Sequence, residues 1–368
     1  MGQPRLFISA GDPSGDNAVA RVAACLRTTF PALELVGLGG PRLAGLGQRQ
    51  LARPEDIAVL GFWEVARRYP YFRRLFHACL DEIKQHRPDA VVLVDYPGFN
   101  LRLAAQVKKL GIPVIYYVAP QVWAWGRGRL RLMRNCVDRL LVILPFEESF
   151  FKDHGIDCTF VGHYLLEDIP LQFIASPLPG GRTLALLPGS RRQEVHRMLG
   201  PMLDAAGLIC RRHGWQATLA AIKGVHNYEA ACARHDASSV AIRYDDARRV
   251  MYEADLVLTA SGTATLEAGI IGRPMVVVYK TGLITYQIAR QLVTLDRIAL
   301  VNLVLGSRVV PELVQRQATP ERMASELERY LADAGYREQV QEKLRAVPSL
   351  LGGPGASQRA ADEIARFL

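Results

Sequence analysis

Short apolar runs alternate with amphipathic stretches through the first part of the chain. Arg5–Ala10, Leu35–Leu38 and Ala90–Asp95 are mostly apolar, as expected of parallel strands covered on both faces. Between the first two, Asp16–Phe30 has apolar residues at helical spacing. Further strands are predicted at Pro113–Val118 and Arg139–Leu144, and further helices at Leu101–Leu110 and Gly126–Cys136. This alternation predicts an α/β fold built on a doubly wound parallel sheet.

The pattern stops at Ile169–Arg182, which is rich in Pro and Gly and is interpreted as a linker. It restarts with strand Thr183–Leu187 and helix Glu194–Arg212. Later strands are predicted at Gln216–Ala221, Val240–Arg243, Leu256–Thr259 and Met275–Tyr279, and the chain looks helical from Pro320 to its end. The sequence therefore predicts two Rossmann-like domains facing a cleft, with a helical C-terminal segment. The predicted bounds are 1–168 for the first domain, 169–182 for the linker, 183–345 for the second domain, and 346–368 for a helix returning to the first domain.

The net charge favours anionic partners but does not distinguish among the classes of such partners. Lys and Arg number 45 against 36 Asp and Glu, which gives a net charge of +9. An excess of this sign favours nucleic acid, nucleotide phosphates or an anionic membrane face. No stretch approaches the length of a membrane-spanning helix, no signal-peptide pattern opens the chain, and the six cysteines are scattered without a CxxC pair. We expect a cytoplasmic protein that is soluble or lies on a membrane without crossing it.

Acidic residues follow two strands of the first domain. Asp12, Ser14 and Asp16 come directly after the first strand, where Ser14 or Asp16 is expected to cap the helix. Asp12 is then not needed for capping and becomes a candidate ligand-binding carboxylate. Asp95 ends the most apolar strand, where burial would raise its pKa and suit it to act as a general base. A turn carboxylate bonded to its own backbone before Pro97 explains the same position equally well.

The second domain offers two loops suited to a phosphate. Pro188–Arg191 is a turn between strand and helix, and Ser261–Glu267 follows a strand and opens another helix. Backbone N–H groups at a helix start attract a diphosphate, and a carboxylate one turn on can accept from ribose hydroxyls. The candidate ligands are Gly189, Ser190, Arg191, Ser261, Gly262, Thr263 and Glu267. Ordinary helix caps with an exposed Arg191 and a Glu267 bonded elsewhere remain the alternative. Asn302, Glu312 and Gln315 are uninformative by themselves.

Aromatic and basic residues alternate in two further places. Trp123 and Trp125 precede a basic run and could line a sugar or lipid site, although at least one of them is expected to be structural. Leu60–Phe76 suits an interfacial segment on anionic lipid, while a core-packed helix with a solvated basic face fits equally well, and Pro70 interrupts any single helix there. The candidate membrane contacts are Phe62, Trp63, Arg67, Arg68, Arg73 and Arg74.

Metal and nucleotide-hydrolysis motifs are missing from the sequence. There is no HExxH, no DxD pair and no Walker A loop, and the histidines are dispersed. We therefore expect no catalytic metal and no cofactor.

Several strings in this order resemble the lipid-A-disaccharide synthase family. They are Ser9–Asp16, Gly39–Arg42, Asp95–Asn100, Tyr117–Trp125, Leu144–Glu147, Phe160–His163, Leu186–Arg191, Ala260–Glu267 and Asn302-Leu303. The resemblance runs from near the start to about Gln315. It implies an inverting GT-B glycosyltransferase in which Asp95 is the base, Arg191 and Asn302 are donor-side or catalytic, and Glu267 binds ribose. The further substrate-binding candidates are Asp12, Ser14, Asp16, Glu312 and Gln315. Asp12 stands where the family commonly has Glu, and Gly98 where it commonly has a second acidic residue.

The resemblance also implies the substrates. They would be UDP-2,3-diacylglucosamine as donor and 2,3-diacylglucosamine 1-phosphate (lipid X) as acceptor, joined at an anionic inner-membrane surface on the cytoplasmic side. It leaves room for a homodimer and implies no nucleic-acid partner. Two rivals remain: a UDP-N-acetylglucosamine epimerase on the same fold, and a nucleic-acid-binding protein that exploits the positive charge, for which no recognised motif is present.

Overall fold

The computed structural model describes residues 3–52, 69–282 and 297–368. The chain divides into two units, one made of residues 1–164 together with 352–368 and the other of Leu165–Leu351. Each unit is built around its own parallel sheet, as the alternating pattern predicts. The predicted linker Ile169–Arg182 lies within the second unit.

The first sheet has the order β3-β2-β1-β4-β5-β6-β7 in the described residues, and every pairing is parallel. Its strands are β1 Arg5–Ala10, β2 Glu34–Leu38, β3 Arg49–Gln50, β4 Ala90–Val94, β5 Val114–Tyr117, β6 Arg139–Val142 and β7 Cys158–Phe160. All residues of β4 are buried, which explains its continuous apolar sequence. The winding direction reverses between β1 and β4, and ligands of such folds bind at the strand ends beside this reversal.

The helices of the first unit fill the faces of this sheet. They are α1 Pro13–Thr29, α2 Pro41–Gly45, α3 Tyr69–His86, α4 Pro97–Lys109, α5 Arg129–Cys136 and α6 Pro145–Asp153. Helix α4 begins earlier than the predicted Leu101, and Pro97 and Gly98 form its first turn rather than a separate turn. Proline suits the first turn of a helix because its missing N–H has no partner there in any case.

The second sheet repeats this plan with the order β10-β9-β8-β11-β12-β13 and parallel pairing. Its strands are β8 Thr183–Leu187, β9 Gln216–Ala221, β10 Ala241–Tyr244, β11 Leu256–Ala260, β12 Met275–Tyr279 and β13 Glu312–Val314. Its helices are α7 Leu165–Asp168, α8 Arg192–His213, α9 Tyr228–Arg234, α10 Ala247–Tyr252, α11 Thr263–Ile271, α12 Leu300–Val304, α13 Pro320–Ala332, α14 Ala334–Arg345 and α15 Val347–Leu350. Here the winding direction reverses between β8 and β11.

The Pro- and Gly-rich segment before β8 is fixed by the second unit. The Arg273 side chain is fully buried and donates to the carbonyl of Ser176 at 2.8 Å. The Asp255 carboxylate accepts from the backbone N–H groups of Gly180 at 2.6 Å and Thr183 at 2.9 Å. The segment before β8 is therefore held by specific hydrogen bonds although it contains little regular secondary structure.

The last helix, α16 Ala356–Ala365, belongs to the first unit and packs against α1. The Arg359 guanidinium donates to the carbonyls of Val161 at 2.8 Å, Gly352 at 3.0 Å and Pro354 at 2.8 Å. A single side chain thus joins the end of β7 to the chain segment that leads into α16.

Candidate active site

Asp95 follows β4, where the first sheet changes direction. Its backbone φ is 43° and that of Tyr96 is 46°, so two consecutive residues with side chains occupy the left-handed region. Such conformations cost about 1–3 kcal/mol each and persist only where their surroundings impose them. The chain turns sharply from β4 into α4 and leaves Asp95 half-buried.

The buried amide of Asn100 imposes this turn. Its Nδ2 donates to the carbonyls of Val94 at 3.0 Å and Asp95 at 2.9 Å, and its Oδ1 accepts from the Ser9 hydroxyl at 2.7 Å. The Tyr116 hydroxyl also donates to the Asp95 carbonyl. Residues from β1, β5 and α4 therefore hold the backbone that carries the Asp95 carboxyl.

The surroundings of the Asp95 carboxyl change its acidity. Burial raises its pKa to about 6, and the negative charge of Asp12 adds to the rise, while a backbone hydrogen bond at Tyr96 opposes it. A carboxyl with a pKa near neutrality is well matched to proton abstraction at physiological pH. The first unit therefore contains a group suited to general-base chemistry at the end of β4.

Asp12 caps α1, contrary to the expectation that Ser14 or Asp16 would do so. Its Oδ1 accepts from the backbone N–H of Gly15 at 3.1 Å, and the Ser14 hydroxyl donates to its other oxygen. The helix begins at Pro13, earlier than predicted, which moves the cap position back to Asp12. Gly11 before it is required for space, because a Cβ there would lie 2.7 Å from the Tyr96 ring.

Asp16 is structural in the described unit. Its carboxylate is buried and accepts from the backbone N–H groups of Gly40 at 2.8 Å, Arg42 at 3.0 Å and Leu43 at 3.2 Å. These groups open α2, where a negative charge is favoured by the helix dipole. The substrate-binding role of Asp16 stays a prediction. The structure shows its carboxylate already accepting three hydrogen bonds from the protein backbone.

A cavity of about 710 Å³ opens in the second unit at the carboxyl ends of its strands. Its walls come from loops that follow β8, β9, β10 and β11, and it lies at the reversal between β8 and β11. The sequence-predicted residues among its lining are Gly189, Ser190, Arg191, Ser261, Gly262, Thr263 and Glu267. This position and size fit the ligand site of a doubly wound fold.

The β8 loop forms one wall of the cavity. Gly189 has a φ of 113°, and a Cβ there would lie 2.8 Å from Oε2 of Glu194, so a larger residue would not fit. Arg191 follows with a side chain that is 69% exposed, and its Nη1 lies 3.6 Å from the Glu194 carboxylate. Its guanidinium is therefore accessible to an anionic ligand.

Helix α11 forms another wall. It starts at Thr263 after Gly262, and its first-turn N–H groups lie beside the cavity, where they and the helix dipole favour a phosphate. The Ser261 hydroxyl donates to the Ile298 carbonyl at 3.1 Å, so that side chain is already bonded. The phosphate-binding capacity of this loop thus lies mainly in its backbone.

Glu267 has a protein partner that the sequence reasoning missed. Arg248 donates through Nε to Glu267 Oε1 at 2.8 Å and through Nη1 to the Asp168 carbonyl at 2.8 Å. The ion pair gives the partly buried carboxylate a partner and fixes its orientation at the cavity wall. Arg248 follows β10 and also lines the cavity, as do Asp245 and Asp246. The rule that ligands meet the loops after strands would have identified this loop as well.

The buried Asn302 and the partly buried Glu312 form a hydrogen-bonded pair outside the cavity lining. Asn302 Nδ2 donates to Glu312 Oε1 at 2.7 Å and to the Val310 carbonyl at 2.9 Å, and Oδ1 accepts from the N–H groups of Val309 and Val310. The amide thereby uses its full hydrogen-bonding capacity within the protein. Glu312 also accepts from the backbone N–H groups of Ile298 and Ala299. The donor-side or catalytic role of Asn302 stays a prediction, and the structure adds that this amide already has protein partners.

Gln315 is buried next to this pair, with a φ of 54°. Its amide lies against the backbone N–H and C=O of Thr281, at 3.3 Å and 3.2 Å. It ties the end of β13 to the segment after β12 and does not line the cavity.

The two Trp residues after β5 play different roles. Trp123 is buried, and its Nε1 donates to Glu147 Oε1 at 2.9 Å. Burial raises the pKa of Glu147 to about 7, while hydrogen bonds from Trp123 and from nearby backbone N–H groups lower it. Trp125 is 45% exposed and lies under the Arg129 guanidinium. Trp123 is thus the structural member of the pair.

Part of the predicted membrane-contact segment lies outside the described residues, namely Phe62, Trp63, Arg67 and Arg68. Arg73 and Arg74 are described and lie exposed on α3.

Within the described ranges, no helix combines the length and apolarity needed to cross a bilayer. No cluster of three or more His, Cys, Asp or Glu side chains suited to a metal ion occurs in the same part of the chain.

Solved structures with the same fold define the class. The chain superimposes on the UDP-GlcNAc 2-epimerase from Neisseria meningitidis with a TM-score of 0.65 at 11% identity, covering 98% of this chain and 99% of that one. For MurG from Acinetobacter baumannii the TM-score is 0.61 at 17% identity, with coverage of 98% and 99%. These similarities show the GT-B fold.

Sequence comparisons identify the family. The model described as "Lipid-A-disaccharide synthetase" matches residues 6–361. The chain is 43% identical over 369 residues to the lipid-A-disaccharide synthase of Anaeromyxobacter dehalogenans (strain 2CP-C), covering 98% of this chain and 96% of that relative. It is 39% identical to the enzyme of Myxococcus xanthus (strain DK1622), with coverage of 99% and 98%. The chain belongs to the lipid-A-disaccharide synthase family and is a glycosyltransferase with a UDP-sugar donor and a lipid acceptor.

The bonding of Asp16 predicts a stability effect. Asp16→Ala removes one buried charged acceptor from three N–H groups, and it should lower the free energy of unfolding by ~3 kcal/mol in urea titrations followed by circular dichroism. Asp16→Asn keeps one acceptor oxygen and should lose less. An Asp16→Ala protein of unchanged stability but weakened substrate binding would instead support the substrate role expected from the sequence.

Proposed function

We propose that this chain transfers 2,3-diacylglucosamine from UDP-2,3-diacylglucosamine to 2,3-diacylglucosamine 1-phosphate. The products are the β-1,6-linked lipid A disaccharide 1-phosphate and UDP. The observation that carries the proposal is the cavity at the β8/β11 reversal, where Arg191 lies on the wall formed by the β8 loop and the start of α11 and Glu267 lie on another wall. Family membership supplies the substrate class. The epimerase rival rests on a structural similarity at 11% identity, which shows the fold alone.

The donor is proposed to bind through the groups that line these walls. The diphosphate would lie against the N–H groups at the start of α11, with the exposed Arg191 guanidinium neutralising part of its charge. Glu267, oriented by Arg248, would accept from the ribose hydroxyls. These groups would also stabilise the charge that develops on departing UDP, because they are fixed before the reaction starts.

Proton transfer is proposed to fall to Asp95. It would take the proton of the acceptor hydroxyl as that oxygen attacks the anomeric carbon from the face opposite UDP, which inverts the configuration. The raised pKa of Asp95 and the strained backbone that fixes it support this assignment. Asn302 is proposed as a positioning residue, since it holds Glu312 and the backbone at Val309 and Val310. No step in this scheme needs a metal ion.

The acceptor is a lipid, so we also propose that the chain works at the cytoplasmic face of an anionic inner membrane. The net charge of +9 supports this setting. Arg73 and Arg74 are exposed on α3 and available for lipid phosphates.

The reaction itself tests the function. The purified chain should form disaccharide and UDP from the two substrates in the presence of EDTA, measured by product chromatography. Asp95→Asn should bind the donor normally but turn over about 10²–10⁴-fold more slowly, because a positioned base is removed. Near-normal turnover by Asp95→Asn would reject the base assignment. UDP binding without any disaccharide would reject the proposed reaction.

The pH dependence tests the same group independently. Only deprotonated Asp95 accepts a proton, so kcat/KM should rise with pH through a midpoint of about 6 and then level off. Asp12→Asn keeps a good helix cap but removes the neighbouring charge, so its midpoint should move to lower pH. Identical midpoints in the two proteins would show that Asp12 does not act on the titrating group.

Glu267 predicts a donor-binding effect. Glu267→Gln keeps the side-chain shape but weakens acceptance from ribose hydroxyls, and it should reduce UDP affinity by ~10-fold in calorimetric titrations. Glu253→Gln is the matched control, since Glu253 pairs with Arg243 and Arg249 outside the cavity lining. Equal effects of the two substitutions would contradict the ribose assignment.

A further inference from the structure

A strongly basic segment follows β5 in the first unit. No Asp or Glu occurs between Asp95 and Asp138, although the whole chain has 36 acidic residues among 368. The exposed or half-exposed side chains at the end of this stretch form what we call the Trp125–Arg134 face. It consists of Trp125, Arg127, Arg129, Arg131, Leu132 and Arg134.

The packing of α5 forces this face outward. Leu130, Met133 and Cys136 are buried at helical spacing and pack into the core of the first unit. The intervening positions Arg131 and Arg134 therefore lie at the surface, and Leu132 is 36% exposed among them. An exposed apolar side chain thus lies on α5 between Arg131 and Arg134 in the sequence.

The loop before α5 presents Trp125 in the same way. The Trp123 side chain is anchored in the core by its hydrogen bond to Glu147. The backbone N–H of Trp125 donates to the Gln121 carbonyl at 3.1 Å. Trp125 itself remains 45% exposed, with the Arg129 guanidinium 4.6 Å from its ring centroid. The anchored neighbour prevents the exposed indole from folding into the core.

The charges of the face lack local compensation. None of its four Arg side chains forms an ion pair with a carboxylate among the residues that the structure describes. Exposed Trp and Leu set among unpaired Arg match the composition of segments that lie in the interface of an anionic bilayer, where an indole occupies the headgroup region. An acidic protein partner would match the charge but would not require the exposed indole.

We propose that the Trp125–Arg134 face is a docking surface for an anionic lipid bilayer, separate from the Leu60–Phe76 segment. The proposal rests on the proposed function in one respect, namely that the acceptor is drawn from a membrane. Strand β5 pairs with β4, with Tyr117 beside Val94, so the loop that leads to this face leaves the same sheet edge as Asp95. Docking here brings the lipid surface to the side of the first unit that carries the candidate base.

Vesicle binding tests the proposal with the full chain. Sedimentation with phosphatidylethanolamine vesicles containing phosphatidylglycerol should show strong binding that high salt weakens, and weak binding to phosphatidylcholine vesicles. Arg131→Gln/Arg134→Gln should bind the anionic vesicles ~10-fold or more weakly, since each basic residue near the surface contributes ~5-fold. Trp125→Phe should lose part of the fluorescence quenching by brominated lipid that the unchanged chain shows.

A control variant of equal charge separates docking from general electrostatics. Arg316→Gln/Lys343→Gln changes two exposed positions of the second unit and should bind vesicles normally. Arg131→Gln/Arg134→Gln should also retain activity on detergent-dispersed substrates, which distinguishes a docking defect from failure of the proposed reaction. Full vesicle binding by Arg131→Gln/Arg134→Gln, or an equal loss in the control variant, would overturn the proposal.

Discussion

The buried amide of Asn100 is the interaction on which the first unit depends. Where β4 ends and α4 begins, backbone carbonyls lose their strand partners, and a buried carbonyl without a partner is costly. Asn100 satisfies two of them and accepts from Ser9, so it joins β1 to β4 at the reversal of the sheet. The left-handed turn at Asp95 and Tyr96 exists because this amide and the Tyr116 hydroxyl stabilise it. These hydrogen bonds hold the Asp95 carboxyl in the partly buried position where its pKa is raised.

The second unit meets the same topological constraint with a different use of charge. Its reversal between β8 and β11 opens a cavity instead of closing around a carboxylate. The positive end of α11 and the accessible Arg191 line this cavity, and the acidic Glu267 is held in place at its wall by Arg248. One fold thus provides a proton-accepting group in one unit and an anion-binding wall in the other, because strand ends leave backbone groups and loop residues available in both.

The sequence predicted the fold well because parallel strands buried on both faces leave continuous apolar runs such as β4 and β11. It missed β3, β7 and β13, which are too short to show a period. Among the site residues, the Gly189–Arg191 and Ser261–Thr263 loops lie on the cavity as expected. Asp12 caps α1 in place of the expected Ser14 or Asp16, and Asp16 bonds to the start of α2, because assigning a cap requires knowing where the helix starts. Glu267 bonds to a residue 19 positions away and Asn302 to residues 7–10 positions away, so their bonding depends on how the chain folds back and not on a helix or strand period.

The return of the chain to the first unit has a consequence for how the protein forms during synthesis. Helix α16 packs on α1, and Arg359 binds carbonyls on both sides of the returning segment, yet residues 352–368 are translated after the whole second unit. The second unit is continuous in sequence and can fold as soon as it leaves the ribosome. The first unit must wait with the surface of α1 uncovered. The helix that Asp12 caps therefore receives α16 as a packing partner only after the second unit has been synthesised.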